Sequence, residues 1–168
     1  MFKVDNLLVV GDPCYEGNHS AHLTTLSGEW HSYVEMYDAG DWGVRCSKLK
    51  VWHESWKDVR CDTFHSDLGV DSGQMGAFIN PNEMGGEYQQ DSFYGECCNL
   101  TIASESNPTG WGELSHHGTG VVSGSGFGDG AYPLKVKYVN SLVVAIEVDF
   151  LCEPDDDEDE LLADEDDE

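Results

Sequence analysis

Asp12-Pro13-Cys14-Tyr15 and Asp71-Ser72-Gly73-Gln74 each set a carboxylate, a thiol or hydroxyl and another hydrogen-bonding side chain within four residues. Groups of these types can supply a nucleophile and its base, ligate a divalent cation, or hold a small polar molecule. For covalent chemistry the pattern is thin. Cys14 would need a histidine beside it in space, and no spacing supplies one. Ser72 lacks the Gly-x-Ser-x-Gly spacing of a nucleophile elbow, because Val70 and Gln74 hold the flanking positions. The third chemistry-bearing stretch runs from Gly124 to Pro133, with glycine at 124, 126, 128 and 130. In an extended chain these glycines would share one bare face, open to a ligand or to large rings. Gly126-x-Gly128-x-x-Ala131 matches a dinucleotide fingerprint by letters, but that fingerprint opens a helix and here an alternating strand follows. Two readings of the stretch stand side by side: a loop touching a ligand, and a bend on which Trp or Tyr rings pack.

Taken together, Asp12, Tyr15, Asp71, Gln74, Gly128, Asp129, Gly130 and Tyr132 are the candidate ligand-binding set. A hydrolase using Asp71 or Asp129 with a divalent cation is the enzymatic alternative. No residue is assigned a catalytic or metal-binding role, and no cofactor is expected. His116 and His117 would point to opposite faces of a strand, and no His-Glu-x-x-His is present. The six cysteines, at 14, 46, 61, 97, 98 and 152, fit no common zinc spacing and read as buried or half-buried thiols. Trp52 and Trp56, with Lys57 and Arg60 near them, could form an exposed platform for a protein partner; core packing is the competing reading.

Charge narrows the partners. The chain of 168 residues carries 33 acidic and 8 basic side chains, net −25. Twelve of the acidic residues lie in 153–168, which holds no basic residue. Direct binding to nucleic-acid phosphates needs Lys/Arg clusters and is not expected. An acidic body suits a partner with a basic surface, or carboxylates standing in for DNA phosphates. No run of eighteen apolar residues offers a membrane span, and the patch Leu7–Val10 is too short for a signal peptide, so the reading is cytoplasmic. The expected organisation is one domain over 1–152 and a disordered acidic tail over 153–168, interrupted by Leu161-Leu162, which could dock on a basic, apolar groove.

Positioning falls to β-structure. Residues 132–151 alternate as a hairpin: Leu134, Val136 and Tyr138 against Lys135 and Lys137, then Val144, Ile146 and Val148 against Ala145 and Glu147. A three-residue loop, Asn140 to Leu142, would pair Tyr138 with Val144, Val136 with Ile146 and Lys135 with Glu147. Val4–Val10 and Glu29–Tyr37 read as strands. In Trp42–Trp52 the apolar residues slip phase between 46 and 49, which predicts a bulge. Leu68–Ile79 reads as one buried strand, with Leu100–Ala103 and Gly120–Ser123 as short ones. Helical turns are expected at Asn80–Glu83 and Asp91–Glu96. Nineteen glycines and many short strands point to a mainly β fold, an antiparallel β-sandwich or open barrel with one or two short helical turns.

The ordered set Gly11-Asp12-Pro13-Cys14-Tyr15, Asp41-Trp42-Gly43-Val44-Arg45, Val70-Asp71-Ser72-Gly73-Gln74, Ser125 to Pro133 and Val148-Asp149-Phe150-Leu151 resembles domain-of-unknown-function family 4241 and its uncharacterised phage relatives. The resemblance spans most of the body and omits the acidic tail. It implies a compact, phage-encoded domain and no agreed activity. The expected function is a non-enzymatic phage accessory protein that binds a host protein in the host cytoplasm, inhibiting defence or transcription. The alternative is a protein that binds or sequesters a small, nucleotide-like ligand.

Overall fold

The computed structural model describes residues 1–15, 20–57, 60–79, 84–85, 92–102, 109–115, 119–126 and 128–151. The expected turn at Asn80–Glu83, the His116-His117 pair and the acidic tail with Leu161 and Leu162 lie outside the described residues.

The described chain is an antiparallel β-sandwich that does not close into a barrel. One sheet has six strands. They are β1 (Phe2–Val4), β4 (Gly28–Asp38), β5 (Val44–His53), β6 (Thr63–Val70), β10 (Gly130–Val139) and β11 (Leu142–Asp149), in the order β1-β4-β5-β11-β10-β6. The other has five. They are β2 (Leu7–Gly11), β3 (Ala21–Thr24), β7 (Gln74–Phe78), β8 (Trp111–Glu113) and β9 (Gly120–Gly124), in the order β3-β2-β7-β9-β8. Leu8, Val10, Met75 and Val121 from the smaller sheet meet Trp30, Val34, Leu49, Val51, Leu134 and Ile146 from the larger in one core. A nine-residue helix, α1 (Phe93–Thr101), covers the other face of the five-stranded sheet. Val9, Phe78 and Val122 pack there against Phe93 and Cys97. Strands covered on both faces carry continuous apolar runs, as Leu7–Val10 does.

Several expected elements change form. Val4–Val10 is two strands in two sheets, because the chain crosses between layers after Val4. Leu68–Ile79 is likewise cut at Asp71-Ser72-Gly73, where Gly73 takes a left-handed φ of 73°. Leu100 and Thr101 are helical, not extended, because the Ser92 side chain accepts from the Gly95 N–H and caps a helix that runs past the expected single turn. The glycine stretch is no extended run. β9 ends at Gly124, β10 begins at Gly130, and Gly126 and Gly128 adopt φ of 79° and 90° in a bend.

The phase slip in β5 is a bulge. Glu35 pairs with Lys48 and Met36 with Cys46, so Ser47 is the extra residue and its Oγ donates to the Glu35 carbonyl at 2.9 Å. In the final hairpin the expected pairings Val136 with Ile146 and Lys135 with Glu147 are present, but the loop is not. A two-residue turn, Asn140-Ser141, has both φ positive (53° and 70°), the geometry that matches strand twist. A bulge between Lys137 and Tyr138 then absorbs Val144 and restores the core face, with Lys137 opposite Ala145.

Candidate functional site

Asp12 leaves β2 and lies under the turn between β6 and β7. Its side chain is 1 % exposed, yet it is surrounded by donors. Oδ2 accepts from the Asp71 and Ser72 amides at 2.7 and 2.8 Å. Oδ1 accepts from the Cys14 amide at 2.9 Å and the Ser72 hydroxyl at 2.6 Å. Four protein donors offset the desolvation of a buried carboxylate. They also occupy the lone pairs a metal or ligand would need, so Asp12 is a positioning residue. Asp71 is exposed on the turn rather than held in a strand, and the Tyr15 hydroxyl donates to its Oδ2. Asp12, Tyr15 and Asp71 therefore belong to one hub joining two turns that lie 59 residues apart in sequence.

Helix α1 adds residues that the motifs do not announce. Tyr94 stands near Ser72, Cys98 and Cys14. Gln74 is 5 % exposed; its Nε2 lies 3.4 Å from Cys98 Sγ, and its Oε1 has no partner among the described residues. Burial, then a hydrogen bond with Asp12, pushes the Cys14 thiol up to about 12. The hydrogen bond to Asp71, then burial, pushes Tyr15 up to about 12. Burial also raises Tyr94. At neutral pH these groups keep their protons and present donors. A thiolate nucleophile at Cys14 is disfavoured by the same carboxylate that organises the turn.

Gly128 and Asp129 sit on the bend between β9 and β10, and Gly130 and Tyr132 stand at the start of β10. Ser125 Oγ and Tyr132 Oη both donate to the Gly128 carbonyl, at 2.7 and 2.9 Å. Tyr132 is buried, with its ring edge-on to Phe150 at 5.3 Å. This is the packing reading of the stretch. The Ser125 amide donates to the Gly73 carbonyl at 2.8 Å, which fixes the bend beside the Asp71–Gly73 turn. Asp129 is exposed just outside the ladder in which Gly130 faces Val70. A hollow of about 410 Å³ opens on the glycine backbone, walled by Gly124, Gly126, Gly128, Cys46 and Arg45. Arg45 donates to the Gly126 carbonyl at 2.8 Å. Among the described residues no three His, Cys, Asp or Glu side chains gather to hold a metal ion.

The outer face of the six-stranded sheet has a different chemistry. Residues that pair across strands share a face. One row runs Lys137, Ala145, Trp52, His31; the next runs Phe64, Lys135, Glu147, Lys50, Tyr33; Asp149, Lys48 and Glu35 follow. Six of the eight basic residues lie on or beside these rows: Lys48, Lys50, Lys57, Arg60, Lys135 and Lys137. Lys50 bonds Glu35 at 2.9 Å, Lys48 reaches Glu147 at 3.4 Å and Lys137 reaches Asp62 at 3.5 Å. The charge of Lys137 holds Asp62 below its ordinary value. Arg60 and Lys135 have no ion-pair partner among the described residues. A hollow of about 450 Å³ is ringed by Lys48, Lys50, Arg60 and Lys135, with Glu147 and Asp149 as its carboxylates. Beside it Trp52, Tyr33, Lys50 and Lys57 line another of about 220 Å³. Trp52 stacks on His31 at 5.9 Å, and Tyr33 and Phe64 are 52 % and 56 % exposed. His53, beside Trp52 in sequence, is buried and bonded to the Ser27 carbonyl, while Trp56 is half-buried on a short 3₁₀ turn. Trp52 and its stacking partner across the strand, His31, are both half-buried.

No protein-family model, no curated protein and no solved structure matches this chain. Among the described residues no helix is long and apolar enough to cross a membrane.

Proposed function

We propose that the protein acts by non-covalent binding, and that the outer face of the six-stranded sheet takes an acidic segment of a protein partner. The observation that carries this is the segregation of cations: in a chain of net charge −25, six of eight basic side chains stand together with Trp52, Tyr33 and Phe64. Total charge alone points to a basic partner. Local charge at this face favours the opposite, because recognition follows the field of the patch. Exposed ion pairs contribute little individually, so the aromatic side chains supply the anchoring and the lysines the orientation. On the family resemblance the partner is a host protein met in the host cytoplasm. The protonated Cys14 and the fully bonded Asp12 favour a binding role over nucleophilic catalysis.

The test is fluorescence anisotropy of a labelled Asp/Glu peptide with two central leucines. Binding should weaken steeply as salt rises and be lost in the Lys50→Glu/Lys135→Glu double variant. Equal binding by parent and double variant would remove the reading. A second reading, a small polar ligand at the hub, is favoured by Gln74 Oε1, which stands beside Cys98 and has no partner among the described residues. Thermal shift against a nucleotide panel addresses it, since ligand at a hundred times its dissociation constant adds about 2.7 kcal/mol.

A further inference from the structure

Resting on the proposal that this face takes acidic peptide, we infer that its resident occupant is the chain's own acidic segment, residues 153–168, which covers the lysine hollow in cis and competes with the partner. Three observations converge. The segment carries twelve carboxylates and no cation, and it contains the apolar pair Leu161-Leu162. It begins four residues after Asp149, the last residue of β11, which pairs with Lys48 at the rim of the hollow. Reach is ample: Leu161 is twelve residues beyond Asp149 and so within about 40 Å of it. Along β11 the rows of Asp149 and Trp52 stand only about 13 Å apart, four residues at strand rise. The carboxylates of 155–160 can therefore face Lys48, Lys50, Arg60 and Lys135 while the two leucines reach the Trp52 and Tyr33 side chains. Arg60 and Lys135, which have no ion pair among the described residues, are the positions such an occupant would complete. An external acidic segment must displace this one, so the face is held in reserve for partners that bind more tightly than the tethered segment does.

The experiment compares three full-length proteins: the parent, a variant with Asp155, Asp156, Asp157, Glu158, Asp159 and Glu160 changed to Asn or Gln, and that variant with Lys50→Glu/Lys135→Glu added. The probe is a labelled synthetic peptide of residues 153–168. A short tether gives an effective concentration in the millimolar range, so for a peptide with a dissociation constant near ~100 μM the parent should bind about tenfold more weakly than the neutralised variant. The protein that also carries Lys50→Glu/Lys135→Glu should not bind. Side-chain NMR signals of Lys48, Lys50 and Lys135 should shift on neutralisation while that of Lys3 stays. Equal affinity for parent and neutralised variant, with unmoved lysine signals, overturns the inference and leaves the acidic-peptide face standing. Absence of binding to every protein overturns both.

Discussion

Replacing Asp12 by Asn changes one atom and should cost about 3 kcal/mol. The carboxylate receives three backbone amides and one hydroxyl at 2.6 to 2.9 Å. The Asn carbonyl can take the place of Oδ2 and keep the Asp71 and Ser72 amides, but as a neutral acceptor, losing about 1 kcal/mol at each. The NH₂ then faces two former donors. Ser72 Oγ can rotate and accept; the Cys14 N–H cannot, and a buried donor left without a partner costs about 1 to 3 kcal/mol. Relief from burying a charge offsets part of that sum. Urea denaturation followed by tryptophan fluorescence reads the difference as a lower midpoint at unchanged slope. Asp71→Asn is the control: the side chain is exposed and its oxygen still accepts from Tyr15, so less than 1 kcal/mol is expected. If Asp12→Asn lies within 1 kcal/mol of the parent, the hub does not organise these turns and the argument fails.

Gly126→Ala should destabilise by about 3 kcal/mol or more, since its φ is 79° and a Cβ would stand 2.0 Å from the Cys46 carbonyl oxygen. Gly128→Ala, with φ of 90° but open space, should cost only about 1 to 2 kcal/mol, and equal midpoints for the two would contradict the bend. Ser141→Gly should stabilise by about 0.5 kcal/mol in thermal melts, because Ser141 holds φ of 70° in a turn that prefers Asn-Gly; a loss would speak against that turn. Cys14, raised to about 12, should react with iodoacetamide at pH 8 at least about tenfold more slowly than an ordinary thiol, as followed by mass spectrometry. Cys14 and Cys61 both bind their protons more tightly in the folded chain than their ordinary 9.0, so their stabilising effect is complete below about pH 9 and is lost as pH climbs toward 12. Denaturation midpoints measured from pH 8 to 11 should fall over that window, and a flat profile would refute the sign.

What could be read from the residues followed the range of the physics involved. Period-two alternation is local, so the 132–151 hairpin, β4 and the Ser47 bulge were legible. Loop length was not, because a bulge three residues from the turn can undo the register that the turn imposes, as Val144 does. A glycine inside an apolar run looks the same whether the strand continues or the chain changes sheets, which is why Leu68–Ile79 read as one element. The helix at α1 had a signal in Ser92, three residues before the Gly95 amide that it caps, but α1 continues through Leu100 and Thr101, where a strand was expected. Asp12, Tyr15, Asp71 and Gln74 were visible as polar types, whereas the contacts among them and with Tyr94 and Cys98 span tens of residues. The basic rows needed the registers of four strand pairs before Lys50, Lys135 and Tyr33 could be placed on one line.

The chain passes from one layer to the other between β1 and β2, β3 and β4, β6 and β7, and β9 and β10. Neither sheet is contiguous in sequence, so neither half can assemble first and wait for the other. Unfolding should then be all-or-none, and refolding slow for the chain's length, since most tertiary contacts join residues distant in sequence. Lacing of this kind ties the polar hub at one end and the lysine rows outside to a single equilibrium, so damage at Asp12 would be felt as lost capacity for acidic peptide on a surface it never touches.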